Sequence, residues 1–381
     1  MFNIYRTHTG IYFIIFLFFC SGLSYSLALN QYFAYPQLVA CIFSFWYFCR
    51  NPKVASHSFF GLLIFFSILL ILISFIHYES SLFVLSFGFI SILPILNYLR
   101  FVLTPLSFYN GLYWFFRLQL FSLLIGFSFL PVSYVSYYGI FRNPNTFGLV
   151  AAVALSIYIS LQLLSFFNFN LYSVSIKSLF TIILLFLFVI ISSSRAALFS
   201  SFISISLYIL FSFIFAKGII QKSVIFSLSF FGSIFLFSSK FFYQAILYKH
   251  FFYVDSSNIL NHREKIWSIA LDNIMLFGHG RSAALINDVG ESIYIAILHQ
   301  YGILGFCTFS FIILYSFLLP LIYPFKLGDY SSLSLLPMIL VFPIIGFTSS
   351  IFGTSAFFLW SFCLAFLLTN KPPKISALHV L

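Results

Sequence analysis

Long apolar runs broken by short polar stretches dominate the pattern of this chain. A membrane-spanning helix needs about 20 mainly apolar residues. The runs predict twelve such helices, at 11–29, 32–49, 58–76, 81–99, 112–130, 146–167, 178–193, 196–215, 223–238, 291–319, 331–349 and 355–369. Only a brief break at Gly353 and Thr354 parts the last two, so the expected total runs from ten to twelve. One sizeable polar segment, 239–290, falls between the ninth and tenth runs. The chain shows no internal repeat and no low-complexity linker. It therefore reads as a single membrane domain over 1–381, an all-α polytopic integral membrane protein with one large loop.

Composition strengthens this picture. Of 381 residues, 62% are hydrophobic and 7% are charged, against about 25% charged in a soluble domain. The formal charge of +11 would suggest a nucleic-acid partner in a soluble protein. In a membrane protein, basic residues on cytoplasmic loops fix the topology instead, and no nucleic acid is expected. Cys20, Cys41, Cys49, Cys307 and Cys363 lie in or at the ends of apolar runs without CxxC spacing, so no disulfide framework is expected. Arg6 followed by the apolar run from Ile11 looks like a signal peptide, and Ser26-Leu27-Ala28 is a weak cleavage pattern. The length of the run favours a retained first helix.

Charge then orients the spans. With both termini in the cytoplasm, the inner side holds Arg6, Arg50, Lys53, Arg100, Arg117, Lys177, Lys217, Lys222, Lys326, Lys371 and Lys374, against one acid, Asp329. The outer side holds Arg142 and Arg195 in short segments, and Lys240, Lys249, Arg263, Lys265 and Arg281 in the long loop, where charge counts little. The outer acids are Glu79, Asp255, Glu264, Asp272, Asp288 and Glu291. Arg142 and Arg195 therefore oppose the local topology signal. Arg195 lies in SSSRAALFSS (192–201), between two apolar runs. A cation kept against that pressure points to binding; the rival reading is snorkelling to lipid headgroups.

The long loop contains NHREKIWSIALDNIM (261–275), where Ile266, Trp267, Ala270, Leu271, Ile274 and Met275 recur at helical spacing. Asn261 and Glu264 form a capping-box-like start. Arg263 falls in the first turn, where a cation opposes the helix dipole. An anion bound there would relieve the conflict; a solvated basic face shared with Lys265 is the alternative. Gly278 and Gly280 in LFGHGRS (276–282) mark a turn but lack P-loop spacing. His250, His262 and His279 match no metal-ligand spacing. Glu291 stands where the chain re-enters the membrane. Tyr294 follows it at i+3 on one helix face, and His299 falls about 12 Å deeper. For His299 the plainer expectation is a hydrogen-bonded interior histidine.

Four stretches, in order, resemble motifs of the O-antigen polymerase and ligase superfamily. FRNPNTFGLVAA (141–152) resembles its Arg/Asn-Pro-Asn helix entry, and SSSRAALFSS its Ser-Arg segment at a helix end. REKIWSIALDNIMLFGHG (263–280) resembles its Arg…Trp helix with a Gly-x-Gly turn. ESIYIAILHQYGILG (291–305) resembles its His-Asn-x-Tyr-Leu…Gly-x-x-Gly segment. The resemblance covers roughly residues 140–310. One departure stands out. Glu291 and Ser292 occupy the positions where the ligases carry His and Asn, which looks more like the polymerases.

The resemblance implies a metal-independent glycosyltransferase with no cofactor, in the bacterial inner membrane, with its active face and the 239–290 loop in the periplasm. It would join repeat units carried on undecaprenyl pyrophosphate. Arg195 and Arg263 would hold the leaving pyrophosphate, since a guanidinium grips phosphate oxygens bidentately. Glu291 would take the proton of the acceptor hydroxyl, or else pair with an arginine. Arg142, Asn145, Trp267, His279, Arg281 and Tyr294 would bind substrate. Membrane lipids and a chain-length regulator are the further partners that the resemblance admits. The alternatives are a ligase that transfers glycan to lipid A–core, and a polysaccharide flippase. A flippase would place charges at mid-membrane, often on broken helices. Most charges instead gather at the helix ends and in the outer loop, which favours the enzyme, with Arg117 and His299 as exceptions.

Overall fold

A computed structural model describes residue 49 and residues 58–78, 105–129, 144–169, 176–192, 194–215, 263–280, 292–327 and 330–346. The elements are α1 (Ser58–His77), α2 (Pro105–Phe129), α3 (Pro144–Phe169), α4 (Ile176–Ser192), α5 (Arg195–Phe215), α6 (Arg263–Asp272), α7 (Ile293–Leu327), a 3₁₀ helix (Tyr330–Leu335) and α8 (Leu336–Gly346). Among the described residues there is no strand. The expected runs at 11–29, 81–99, 223–238 and 355–369, and 32–49 except Cys49, lie outside them.

Helix α3 is the centre of the bundle. It packs against α2, α4, α5, α8 and the 3₁₀ helix. A helix apolar on every side can be stable only when neighbours surround it, and 78% of its Phe147–Ser165 stretch is buried. Small residues let those neighbours approach closely: Ala151, Ala152, Ala154, Ser156 and Ser160 are all fully buried. The aromatic side chains interlock around it, with Phe147 edge-on to Phe188 of α4 and Phe167 edge-on to Phe215 of α5. Buried serines return their hydroxyl protons to the preceding turn, as Ser156 does to the Val153 carbonyl (2.8 Å).

Phe147–Ser165, Ala196–Phe215 and Tyr294–Ile322 are long and apolar enough to cross a membrane. Shorter apolar helical stretches cover Ile64–His77, Lys177–Ser192 and Ser332–Ile345. Two expected spans change form. Helix α2 begins at Pro105, ahead of the expected 112, because proline suits the first helical position, where its missing N–H would be unpaired anyway. The run at 331–349 divides into the 3₁₀ helix and α8, with Pro337 in the first turn of α8.

The larger correction is in α7. Gly302, with φ 70° and ψ −169°, breaks its helical path. In a straight helix Tyr294 and Phe309 would stand about 22 Å apart along the axis. Their ring centroids are 6.2 Å apart. The segment 293–301 therefore folds back on the segment that begins at 303. Phe66 of α1 touches both, at 6.4 Å from Tyr301 and 6.3 Å from Phe309. The part after the break is still long enough to span, because 303–322 is about 30 Å long at 1.5 Å per residue. His299 belongs to the short helical segment before the break.

Candidate functional site

Two of the four motif stretches meet where α4 turns into α5. Ser192 ends α4 and Arg195 begins α5. The Ser192 hydroxyl donates to the Val189 carbonyl (2.6 Å) and accepts from the Ser194 N–H (3.2 Å). Ser194 is the N-cap residue, its carbonyl accepting from the Leu198 N–H (2.9 Å). Arg195 is thus the first residue of the helix, beside its positive dipole end. The start of α3 lies against this turn. A Cβ at Gly148 would collide with the Ser192 hydroxyl and come within 2.7 Å of the Ser194 Cβ. Asn145 stands in the first turn of the same helix. Arg142 lies outside the described residues.

The other two stretches meet at the break in α7, and the backbone explains how. A continuous helix would bond the N–H groups of Ile303 and Leu304 to the carbonyls of His299 and Gln300. Those N–H groups donate instead to Met275 (3.1 Å) and Leu276 (3.4 Å). The freed carbonyls of His299 and Gln300 accept from His279 (2.9 Å) and Gly280 (3.1 Å). Two turns, 275–280 and 299–304, thus pair through four backbone bonds, which satisfy the N–H groups of Ile303 and Leu304 and the carbonyls of His299 and Gln300. Each turn has a glycine at its centre with φ of 70°, Gly278 and Gly302. A Cβ on either would strike the backbone of the opposite turn: Gln300 and the Gly302 nitrogen in one case, Leu276 and the Gly278 nitrogen in the other. The Gly302 torsions lie in a region essentially reserved for glycine.

Helix α6 leads into this crossing. Its Ala270 is fully buried and packs with Ala296 of α7. The expected amphipathic stripe is shorter than its pattern. The helix stops at Asp272, and Ile274 and Met275 are exposed because their segment pairs with α7. Trp267 is half-buried on α6, and Arg263 is its first residue. Asn261, Arg281 and Glu291 lie outside the described residues.

Two predicted binding residues are engaged structurally. The Tyr294 hydroxyl donates to the Pro343 carbonyl of α8 (2.9 Å). His279 donates from Nε2 to the Asn273 carbonyl (2.6 Å), which fixes the proton on Nε2. Its ring stacks on His299, with centroids 4.6 Å apart and planes 25° apart. His299 is 1% exposed, yet among the described residues neither of its ring nitrogens has a hydrogen-bond partner. The expected hydrogen bonding is therefore absent there. Among the described residues no group of three or more His, Cys, Asp or Glu could hold a metal.

Asn145 and Arg195 thus stand at the starts of α3 and α5, which meet at Gly148 and Ser192, while His279 and Tyr294 lie on the two segments that cross at the break and Trp267 on the helix that leads into it. Arg195 and Arg263 begin separate helices that are not among the principal packing pairs. Arg117, unassigned by the motifs, sits at mid-length on an exposed stripe of α2 with Trp114, Phe121 and Leu124. It lies 4.4 Å over the Tyr113 ring and 5.4 Å from the Trp114 ring, and donates to the Tyr113 hydroxyl (2.6 Å). Aromatic faces take the place of a carboxylate there.

No protein-family model matches the chain, and no curated protein matches it in sequence.

Proposed function

We propose that this protein is an O-antigen polymerase, joining repeat units carried on undecaprenyl pyrophosphate at the periplasmic face of the inner membrane. The observation that carries this reading is spatial. The four motif stretches, separated along the chain, pair two by two: 141–152 with 192–201 at Gly148 and Ser192, and 263–280 with 291–305 at Gly278 and Gly302. Pairing of distant stretches suits parts of a common site, and Arg195 and Arg263 belong to different pairs.

In the proposed reaction the acceptor hydroxyl of one lipid-linked unit attacks the anomeric carbon of another. The bond from that carbon to the pyrophosphate oxygen breaks, and its electron pair leaves with the pyrophosphate. Arg195 and Arg263 hold the departing charge, an electrostatic role that typically supplies the largest catalytic term. Their positions as first residues of α5 and α6 suit an anion, since helix N-termini attract phosphate. Glu291 takes the hydroxyl proton. Arg142, Asn145, Trp267 and Arg281 complete the substrate contacts. Tyr294 and His279 act first as structural contacts.

The test is Arg195→Ala beside Arg195→Lys, which keeps the charge but loses the fork. The reading expects both to lose long polysaccharide ladders at normal protein levels. Persistence of the ladders in both removes Arg195 from the mechanism. At position 291, full activity in Glu291→Gln would exclude proton transfer there.

The discontinuity at Gly302 is the one observation that favours a flippase, since transporters build binding sites on broken helices. In such sites the freed backbone groups face the substrate. Here the turn 275–280 satisfies them, which favours the transferase. Glycan flipping by the purified protein in liposomes, without chain extension, would reverse that preference.

A further inference from the structure

We propose that His299 is a hydrogen-bonding contact for a sugar hydroxyl of the glycan, and that the His279 ring is a side-chain gate above it. This inference rests on the glycan-transferring reading and extends it to a residue to which the motifs give no role.

His299 is 1% exposed, and among the described residues both its Nδ1 and Nε2 lack hydrogen bonds. Buried polar side chains are nearly always satisfied, and an exception calls for an explanation. An imidazole offers one donor and one acceptor when neutral. A hydroxyl also donates and accepts, so it can complement both nitrogens in turn. A phosphate oxygen only accepts, and a metal cation takes only the lone pair. A hydroxyl-rich ligand is therefore the better match.

The cover over His299 is specific. The His279 ring stacks on it at 4.6 Å. His279 itself is half-buried, and its side chain is held by one hydrogen bond, to the Asn273 carbonyl. Its backbone is held differently, by the N–H to His299 carbonyl bond and by the crossed glycine turns. Rotation of the His279 side chain breaks the single side-chain bond and the stack. It leaves every backbone bond of the crossing in place. The frame is rigid and the gate is one ring.

The experiment labels histidines of the purified full-length chain in detergent with diethyl pyrocarbonate, and reads His299 by mass spectrometry. In the closed state His299 reacts only in the fraction of molecules whose gate is open, so His279→Ala speeds its labelling by about tenfold or more. Undecaprenyl pyrophosphate carrying the repeat unit then slows that labelling. Undecaprenyl pyrophosphate without sugar leaves it unchanged. Equal labelling of the unaltered protein and His279→Ala overturns the gate. Equal protection by both lipids, or by neither, overturns the glycan contact. In cells, His299→Leu loses the ladders, while His299→Gln, which keeps a donor and an acceptor, retains part of them. Full ladders in His299→Leu overturn the contact whatever its stability. If a strain without the chain makes normal polysaccharide, the polymerase reading fails, while the two labelling arms still decide the gate and the contact.

Discussion

The two places where motif stretches meet are built on opposite principles. At the α4–α5 turn, regular helices end and begin, and small side chains let them touch. Gly148, Ser192 and Ser194 make that contact, and the hydrogen bonds there are local to one turn of chain. At the α6–α7 crossing, side chains contribute little. Two chain segments 24 positions apart exchange backbone bonds around paired glycines. The first place can adjust, because a serine side chain can rotate or a helix can slide by a fraction of an ångström. The second cannot, because main-chain atoms fill the space that any Cβ would need. A site needing a precise, unyielding frame is better served by the second. A site accommodating substrates of differing bulk is better served by the first.

That contrast sets the order of expected mutational effects. The largest belongs to Gly302→Ala. It combines a glycine-only backbone conformation, about 1–3 kcal/mol of strain, with a collision against Leu276 and Gly278 backbone. The thermal midpoint in detergent should collapse, or the protein should fail to accumulate. A near-normal midpoint would show that the crossing is dispensable. Gly278→Ala should behave similarly. Because the two glycines touch, the double variant should cost clearly less than the sum of the singles. Additive losses would mean that the turns are independent. Gly148→Val tests the yielding side. Overpacking costs about 1–3 kcal/mol; the Ser192 hydroxyl can rotate away but the Ser194 Cβ cannot, so the loss should fall within that range, read by the same midpoint. A loss as large as that of Gly302→Ala would erase the distinction between the two regions. The smallest effect is Tyr294→Phe. It removes one hydrogen bond to the Pro343 carbonyl, worth about 0.5–1.5 kcal/mol. A loss of ladders without loss of stability in this variant would return Tyr294 to a substrate role.

The same contrast explains what was legible in the sequence. The runs at 58–76, 146–167, 178–193 and 196–215 each fall on a helix, because apolar length reports helix length directly. The break between α4 and α5 was readable from the serines around Arg195, whose hydroxyls compete for local backbone groups. Gly278 and Gly280 announced a turn and adopt positive φ. Gly302 announced nothing comparable, since one glycine in a long apolar run is compatible with a continuous helix. Its break depends on a partner turn far away in sequence, and no local pattern encodes that pairing. The same omission hid the fold-back that places Tyr294 beside Phe309. It also lengthened α6, since Ile274 and Met275 continue the apolar rhythm while their backbone is already committed to α7. Arg195 and Arg263 were located correctly at helix starts, and what they hold is a matter for chemistry rather than pattern.

One measurement bears most directly on the proposed activity: the lipopolysaccharide profile of a strain from which this chain has been deleted, run on a single gel beside its parent. The account predicts that the long ladder disappears and that the core remains capped by one repeat unit. Bare core would identify a ligase instead, and an unchanged ladder would contradict the assignment outright.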